Sequence, residues 1–134
     1  MKTLGIDVGS ITTKAVVIID GRLRSSSIAP TGFDARKTAQ RVFNNIIDGM
    51  GLKASAIDCV ISTGYGRKSV PFADKAVTEI SCHAAGAYFI NPAVRSVIDI
   101  GGQDSKVIVL NERGKVMDFA MNDKCAAGTG RFLR

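Results

Sequence analysis

The chain has 134 residues, of which 46% are hydrophobic, and its formal net charge is +6. This length suits one ordinary domain, and the apolar content excludes a disordered chain. The positive charge forms no basic tract and aromatic residues are few, which argues against nucleic-acid binding. The aliphatic stretch at 15–19 is far shorter than the roughly 20 residues of a membrane span, and Asp7 interrupts any secretory apolar region. We therefore expect a soluble, cytoplasmic protein without nucleic-acid or membrane partners.

Three strands and a helix are predicted first. Alternating aliphatic runs place strands at 3–8, 13–20 and 22–29, with a tight turn at Asp20-Gly21. Apolar residues recurring at three- and four-residue steps predict an amphipathic helix that is capped by Asp34 and ends near Gly49 or Gly51.

A fourth strand is predicted at 56–63. In it Ile57, Cys59 and Ile61 share one face, and Cys59 is interpreted as a small core residue. The "TGYGRK" loop that follows ends this strand, where α/β folds usually place binding residues. A plain turn with a solvated Arg67 explains it equally well.

The next predicted elements are a helix at 79–90 and strands at 96–101, 105–111 and 115–121. His83 on that helix lies beside Cys82, but without a third ligand nearby a structural histidine is favoured over a metal ligand. The order β-β-β-α-β-α, followed by β-β-β, indicates an α/β fold with a mixed sheet. Residues 1–92 would form a complete first lobe, and 93–134 an incomplete second lobe with three strands and the start of a helix.

An internal repeat underlies this order. The segment "IDVGSITTK" (6–14) recurs as "IDIGGQDSK" (98–106) at an offset of 92. Both copies continue into an aliphatic run, a turn and a further strand, which chance does not readily supply.

The repeated motif suits a polyphosphate with Mg²⁺. An aspartate at a strand end, Asp7 or Asp99, offers the one or two carboxylates that Mg²⁺ needs. Glycines let backbone N–H groups approach phosphate oxygens, and hydroxyls and lysines add donors. Walker and dinucleotide patterns do not fit. The predicted nucleotide-binding residues are Gly9, Ser10, Thr12, Thr13, Lys14, Gly101, Gly102, Gln103 and Asp104, with Ser105 and Lys106 as further donors.

These residues carry a family resemblance. "GIDVGSITTK" and "DIGGQDSK" resemble the phosphate motifs of the acetate-kinase, sugar-kinase, Hsp70 and actin superfamily. "TGYGR", "EISCHAAGA" and "MNDKCAAGTGRFL" are similar to the ATP-hydrolysing activators of 2-hydroxyacyl-CoA dehydratases, with the ATPase subunits of benzoyl-CoA reductase close behind. The resemblance covers essentially the whole chain. It implies a ribonuclease H-like fold, binding of ATP or ADP with Mg²⁺ held through water by Asp7 and Asp99, and Gln103 as the residue that orients the attacking water.

Cys125 suggests a second cofactor. It follows Lys124 at a predicted helix start. The lysine charge and the helix start both favour a thiolate. One thiolate cannot hold a [4Fe–4S] cluster, which takes four. The resemblance implies a homodimer that shares one cluster, with two cysteines from each subunit, and Cys125 matches the first. The matching second cysteine and the adenosine-binding glycine motif are missing here. We therefore expect a truncated form, a fragment of a longer reading frame, or a half that needs a partner chain.

The resulting hypothesis is an ATP-driven electron donor of anaerobic metabolism. It would receive an electron from a donor such as ferredoxin or flavodoxin and pass it to a 2-hydroxyacyl-CoA dehydratase. Closing and opening of two lobes around ATP would change the surroundings of the cluster. Three alternatives stay open: an ATPase subunit of a benzoyl-CoA reductase, a kinase of the same superfamily, and a truncated, non-catalytic nucleotide-binding module.

Overall fold

The computed structural model describes residues 1–101 and 104–122. Contacts within the chain define two compact units, Met1–Val77 and Thr78–Arg134. Neither helix in the described ranges is long and apolar enough to cross a membrane.

The first unit contains a five-stranded mixed sheet in the order β3-β2-β1-β4-β5. The first three strands are antiparallel, whereas β4 runs parallel to β1 and β5 parallel to β4. The mixed sheet predicted from the sequence is thus confirmed. The strands are β1 (Lys2–Val8), β2 (Thr12–Ile19), β3 (Arg22–Pro30), β4 (Cys59–Thr63) and β5 (Lys75–Ala76).

Helix α1 (Ala35–Gly49) covers one face of this sheet. It begins where predicted, because the Asp34 carboxylate accepts a hydrogen bond of 3.1 Å from the Lys37 N–H and satisfies an otherwise free donor of the first turn. Its apolar stripe packs on alternate residues of β1 and β2, and each fully buried aliphatic side chain there contributes about 1.5–3 kcal/mol. This core contains Leu4, Ile6, Val8, Ala15, Val17, Ala39, Val42, Phe43, Ile46, Ile47, Val60 and Val70.

The fourth strand differs from its prediction in its first residue and in the face that it buries. It begins at Cys59 and not at residue 56, because Ala54–Ala56 forms a 3-10 turn. Val60 and Ser62 are the residues that it buries, so Cys59 lies half-buried on the opposite face. The predicted core position of Cys59 is wrong, because Ile57 precedes the strand and packs on the core while Cys59 does not share its face.

The second unit combines a helix with an antiparallel three-stranded sheet in the order β6-β7-β8. Helix α2 (Glu79–Ile90) is followed by β6 (Ser96–Ile100), β7 (Ser105–Leu110) and β8 (Val116–Asn122), within about one residue of the predicted bounds. A small core of Ala84, Ile108 and Leu110 joins α2 to this sheet. Helix α2 therefore packs with the hairpin that follows it, and the lobe boundary at residue 92 stays a prediction.

Candidate functional site

An aspartate and a lysine face each other at the same place in both hairpins. Asp7 pairs with Lys14 across β1 and β2, and Asp99 pairs with Lys106 across β6 and β7. Because cross-strand partners project from the same face, each ammonium lies beside its carboxylate. The Nζ–Oδ2 distance is 3.3 Å in both pairs. The sequence repeat thus corresponds to a repeated charge pair in space.

The turn between the paired residues is also repeated. The Gly9 N–H donates to the Thr12 carbonyl at 2.9 Å, and the Gly101 N–H donates to the Asp104 carbonyl at 2.8 Å. A Cβ at Gly9 would lie 2.8 Å from the Thr12 oxygen, which is too close for any other residue. These two N–H groups therefore close their own turns.

Irregularities in the strand pairing also recur at the offset of 92 residues. The pairing of β2 with β3 shifts between Val17 and Ile18, and that of β7 with β8 shifts between Val109 and Leu110. The shifts lie 92 positions apart, as do the two aspartates. The two hairpins therefore share their pairing register and the position of their bulges.

The loop after β4 packs directly against Asp7. Strand β4 places Thr63 opposite Asp7. Gly64 follows with φ +94°, and a Cβ there would collide with Asp7 Oδ1 and lie 2.6 Å from the Val8 carbonyl oxygen. The Gly66 N–H donates to that carbonyl at 2.8 Å, and the Arg67 guanidinium donates to the Gly64 carbonyl at 3.1 Å. The loop therefore contacts the Asp7 carboxylate directly, and its role in binding stays a prediction.

Thr63 carries an unpaired hydroxyl at this point. Within residues 1–101 and 104–122, its Oγ1 is the buried side-chain oxygen that has no hydrogen-bond partner. A buried hydroxyl without a partner is costly and uncommon in native proteins. The sequence signal for it was its position at the carboxyl end of a strand that enters a glycine loop.

Thr13 was predicted to bind the nucleotide, but its hydroxyl lies on the opposite face of the sheet from Asp7. Thr13 is fully buried, and its Oγ1 is 2.9 Å from Thr31 Oγ1. Thr31 in turn donates to the Gly9 carbonyl at 2.8 Å. Thr13 therefore supports the turn from the core side, whereas Ser10 is exposed and Thr12 is half-buried.

Lys106 is surrounded by three carboxylates. Its side chain is only 2% exposed, and Nζ lies 2.7 Å from Asp104, 3.3 Å from Asp99 and 3.3 Å from Glu79. Burial by itself lowers the pKa of this lysine, but hydrogen bonds and charges from Asp104 and Glu79 outweigh burial and raise the pKa above its ordinary value. Lys106 is therefore charged at any physiological pH. Lys14, by contrast, is 44% exposed and has one carboxylate partner.

Helix α2 supplies two side chains to the second hairpin that sequence reasoning did not assign. Glu79 contacts Lys106, and His83 Nε2 lies 3.5 Å from Asp99 Oδ2. Their spacing of four residues places both on one face of the helix, which is the signal that could have found them. No group of three His, Cys, Asp or Glu side chains in the described ranges is arranged to hold a metal, which leaves His83 as a neighbour of Asp99.

Three predicted site residues, Gly102, Gln103 and Cys125, lie outside the described residues.

The mixed sheet of the first unit, and the repeat of its first hairpin in the separate sheet of the second unit, place the chain in the ribonuclease H-like, actin-like class of folds. More specifically, it belongs to the BadF/BadG/BcrA/BcrD ATPase family, which matches residues 4–134. The activator of lactoyl-CoA dehydratase from Anaerotignum propionicum is 48% identical over 134 residues, which cover 99% of this chain and 51% of that protein. The predicted family and fold are confirmed.

Two solved structures are similar to this one. The activator of the 2-hydroxyisocaproyl-CoA dehydratase from Clostridium difficile, with bound ADPNP, superposes with a TM-score of 0.85 at 45% identity and 99% coverage of this chain. Component A of the (R)-2-hydroxyglutaryl-CoA dehydratase from Acidaminococcus fermentans gives a TM-score of 0.88, also at 45% identity and 99% coverage. The chain covers 50% and 51% of those two chains, so it spans about half the length of these relatives.

The two lysines should differ in their contribution to stability. Replacing buried Lys106 by methionine leaves three carboxylates close together without their cation, so Lys106→Met should lower the free energy of unfolding by about 3 kcal/mol. The equivalent Lys14→Met breaks an exposed pair and should cost under about 1 kcal/mol. Urea unfolding of both variants measures the difference. Equal losses would contradict the structural role assigned to Lys106.

The contact of the β4 loop with Asp7 can be tested at Gly64. Gly64→Ala combines an unfavourable φ with the collision at Asp7 and should cost about 2–3 kcal/mol. Gly51 also has a positive φ, of +68°, but open space around it, so Gly51→Ala should cost only about 1 kcal/mol. The matched pair separates backbone strain from the collision in a thermal or urea unfolding experiment. A Gly64 variant no worse than the Gly51 variant would show that the loop does not press on the carboxylate.

Proposed function

We propose that this protein is an ATP-hydrolysing activator that passes an electron to a 2-hydroxyacyl-CoA dehydratase in the cytoplasm. The observation that carries the proposal is the duplicated Asp–Lys hairpin in a chain of this ATPase family. Relatives named as dehydratase activators support it. One similar structure has the ATP analogue ADPNP bound.

The residues around Asp7 fit a nucleotide with Mg²⁺. The Asp7 side chain is 30% exposed and lies beside the Lys14 ammonium. A carboxylate for hydrated Mg²⁺ and an ammonium for phosphate are groups that such a ligand needs. Bound Mg²⁺ would neutralise phosphate charge as the terminal phosphate is cleaved. Asp7 and Asp99 are proposed to hold it through water.

The two hairpins would have different tasks. Lys14, with one partner and considerable exposure, can turn from Asp7 toward a phosphate oxygen at small cost. Lys106 is held by three carboxylates and instead fixes the direction of Asp99. Gln103, which the sequence places between β6 and β7, is proposed to orient the attacking water. Ser10 and Thr12, the exposed and half-buried hydroxyl residues of the first turn, would complete the phosphate contacts.

The electron-transfer part of the proposal rests on Cys125. A [4Fe–4S] cluster takes four thiolates, so we propose a homodimer in which Cys125 of each chain supplies one of them. The cluster would serve as the one-electron carrier. A donor such as ferredoxin or flavodoxin is proposed to reduce it. The task of this chain would be to present the cysteine and to hydrolyse ATP.

A second candidate has a specific observation in its favour. One of the subunits of the benzoyl-CoA reductase from Thauera aromatica is 36% identical over 138 residues, which cover 98% of this chain. The higher identity of the dehydratase activators, 44–48%, favours the first proposal. Reconstitution with each purified partner enzyme would separate the two candidates.

Asp7 should be needed for nucleotide hydrolysis. Asp7→Asn keeps the shape of the side chain but removes the charge that orients hydrated Mg²⁺, so hydrolysis should fall by about 10- to 100-fold. Asp48→Asn, at an exposed position of α1, is the matched control and should retain full activity. Release of free phosphate from ATP is the measurement. A phosphorylated acceptor in its place would identify a kinase. Mg-ATP binding in calorimetry without release of phosphate would identify a non-catalytic nucleotide-binding module, and absence of binding an inactive remnant.

Cys125 should be needed for the cluster alone. Cys125→Ala in the intact protein should abolish the iron–sulfur absorbance, because one ligand per subunit is lost, while Mg-ATP still binds with unchanged affinity. Cys82→Ala, which alters a half-buried cysteine of α2, is the control and should keep the absorbance. A normal cluster in the Cys125 variant would refute the assignment.

A further inference from the structure

The end of β4 contains a polar group that neither the fold nor the proposed hydrolysis mechanism has used. Thr63 Oγ1 is buried and has no hydrogen-bond partner in the protein. Other buried threonine hydroxyls of this unit are bonded: Thr13 is linked to Thr31 at 2.9 Å, and Thr38 donates to the Thr31 carbonyl at 2.7 Å. The exception therefore needs an explanation.

Its location supplies one. Thr63 is the direct neighbour of Asp7 on the adjacent parallel strand, so both side chains project from the same face of the sheet. The face toward α1 is filled by Val8, Val60 and Ser62, whereas the Asp7 side chain on the other face remains partly exposed. The free hydroxyl therefore lies on the side where a ligand can reach Asp7.

The surrounding loop keeps this arrangement fixed. Gly64 lies against Asp7 Oδ1, while the Lys14 ammonium approaches the other oxygen, Oδ2. Ser62 donates to the Arg67 carbonyl at 2.8 Å, which closes the loop on the core side. These contacts fix the backbone on both sides of Thr63 next to the Asp7 carboxylate.

The geometry points to Thr63 as a further ligand-binding residue of the Asp7 hairpin. Its hydroxyl hydrogen-bonds to the magnesium complex of a nucleoside triphosphate, either to a phosphate oxygen or to a water that the complex carries. This inference rests on the proposed function and adds to it a group outside the repeated motif. It also assigns a role to the "TGYGRK" loop, which closes against Asp7 and carries the hydroxyl.

The test uses opposite effects on stability and on binding. Thr63→Val has the same shape without the hydroxyl, so the ligand-free protein should unfold at an equal or higher temperature, because an unsatisfied buried group is removed. The same variant should bind Mg-ADPNP about tenfold more weakly, the size expected for one hydrogen bond to a charged group. Thr63→Ser, which restores the hydroxyl, should bind within about threefold of the unaltered protein.

Thr3→Val is the matched control. Thr3 lies on the same face of β1 and pairs with Cys59 of β4, but its hydroxyl already donates to the Ile18 carbonyl at 3.4 Å. Its loss should leave Mg-ADPNP affinity unchanged. Calorimetry in the intact protein and thermal unfolding without nucleotide are the two measurements.

The outcomes separate the inference from the proposed function. Unchanged affinity in Thr63→Val, with normal binding by the unaltered protein, would overturn the inference and leave the proposed function in place. A lower unfolding temperature together with weaker binding would show a structural role and also overturn it. No binding of Mg-ADPNP by the unaltered protein would overturn the proposed function and the inference with it.

Discussion

The pairing of one aspartate with one lysine across a β-hairpin is the constraint on which the site depends. Register decides it: Asp7 lies opposite Lys14 and Asp99 opposite Lys106, and a slip of one residue would turn each charge toward the opposite face. The short glycine turns and the buried alternation of the strands hold this register. Hydrophobic packing on one face thereby positions the polar chemistry on the other face of the first sheet.

The two copies of the pair have diverged in their surroundings. In the first, the lysine is accessible and the carboxylate is flanked by a glycine loop and an unpaired hydroxyl. In the second, helix α2 adds Glu79 and His83, and the lysine is enclosed. An accessible cation can exchange partners, whereas an enclosed cation with three anions cannot do so without a large electrostatic cost. A duplicated element has thus become one adaptable hairpin and one rigid hairpin.

Local patterns predicted most of the fold, because strand alternation, helix periodicity and the Asp34 cap are properties of neighbouring residues. The repeat also predicted both aspartates and both lysines. The side-chain positions that the sequence did not predict depend on contacts between distant segments. The face of Cys59 follows from where β4 begins, the inward hydroxyl of Thr13 follows from Thr31, and the contacts of Glu79 with Lys106 and of Thr63 with Asp7 require the packed structure. Residue spacing alone cannot show which side chains a tertiary neighbour will enclose.

The β2–β3 and β7–β8 connections, which lie at the end of each sheet opposite the charge pair, differ in length by one residue. In the first copy, four residues separate the paired Ile18 and Leu23, and two of them, Asp20 and Gly21, have positive φ. In the second copy, five residues separate the paired Leu110 and Val116. Beyond this connection the correspondence between the copies changes from 92 to 93 positions, as the partners Leu23 and Val116 show. The extra residue is absorbed away from the charge pair, and the bulge keeps the strands aligned on either side. This connection is therefore a natural place to attach a spectroscopic label at exposed Glu112 or Arg113 while the chemistry at the opposite end stays undisturbed.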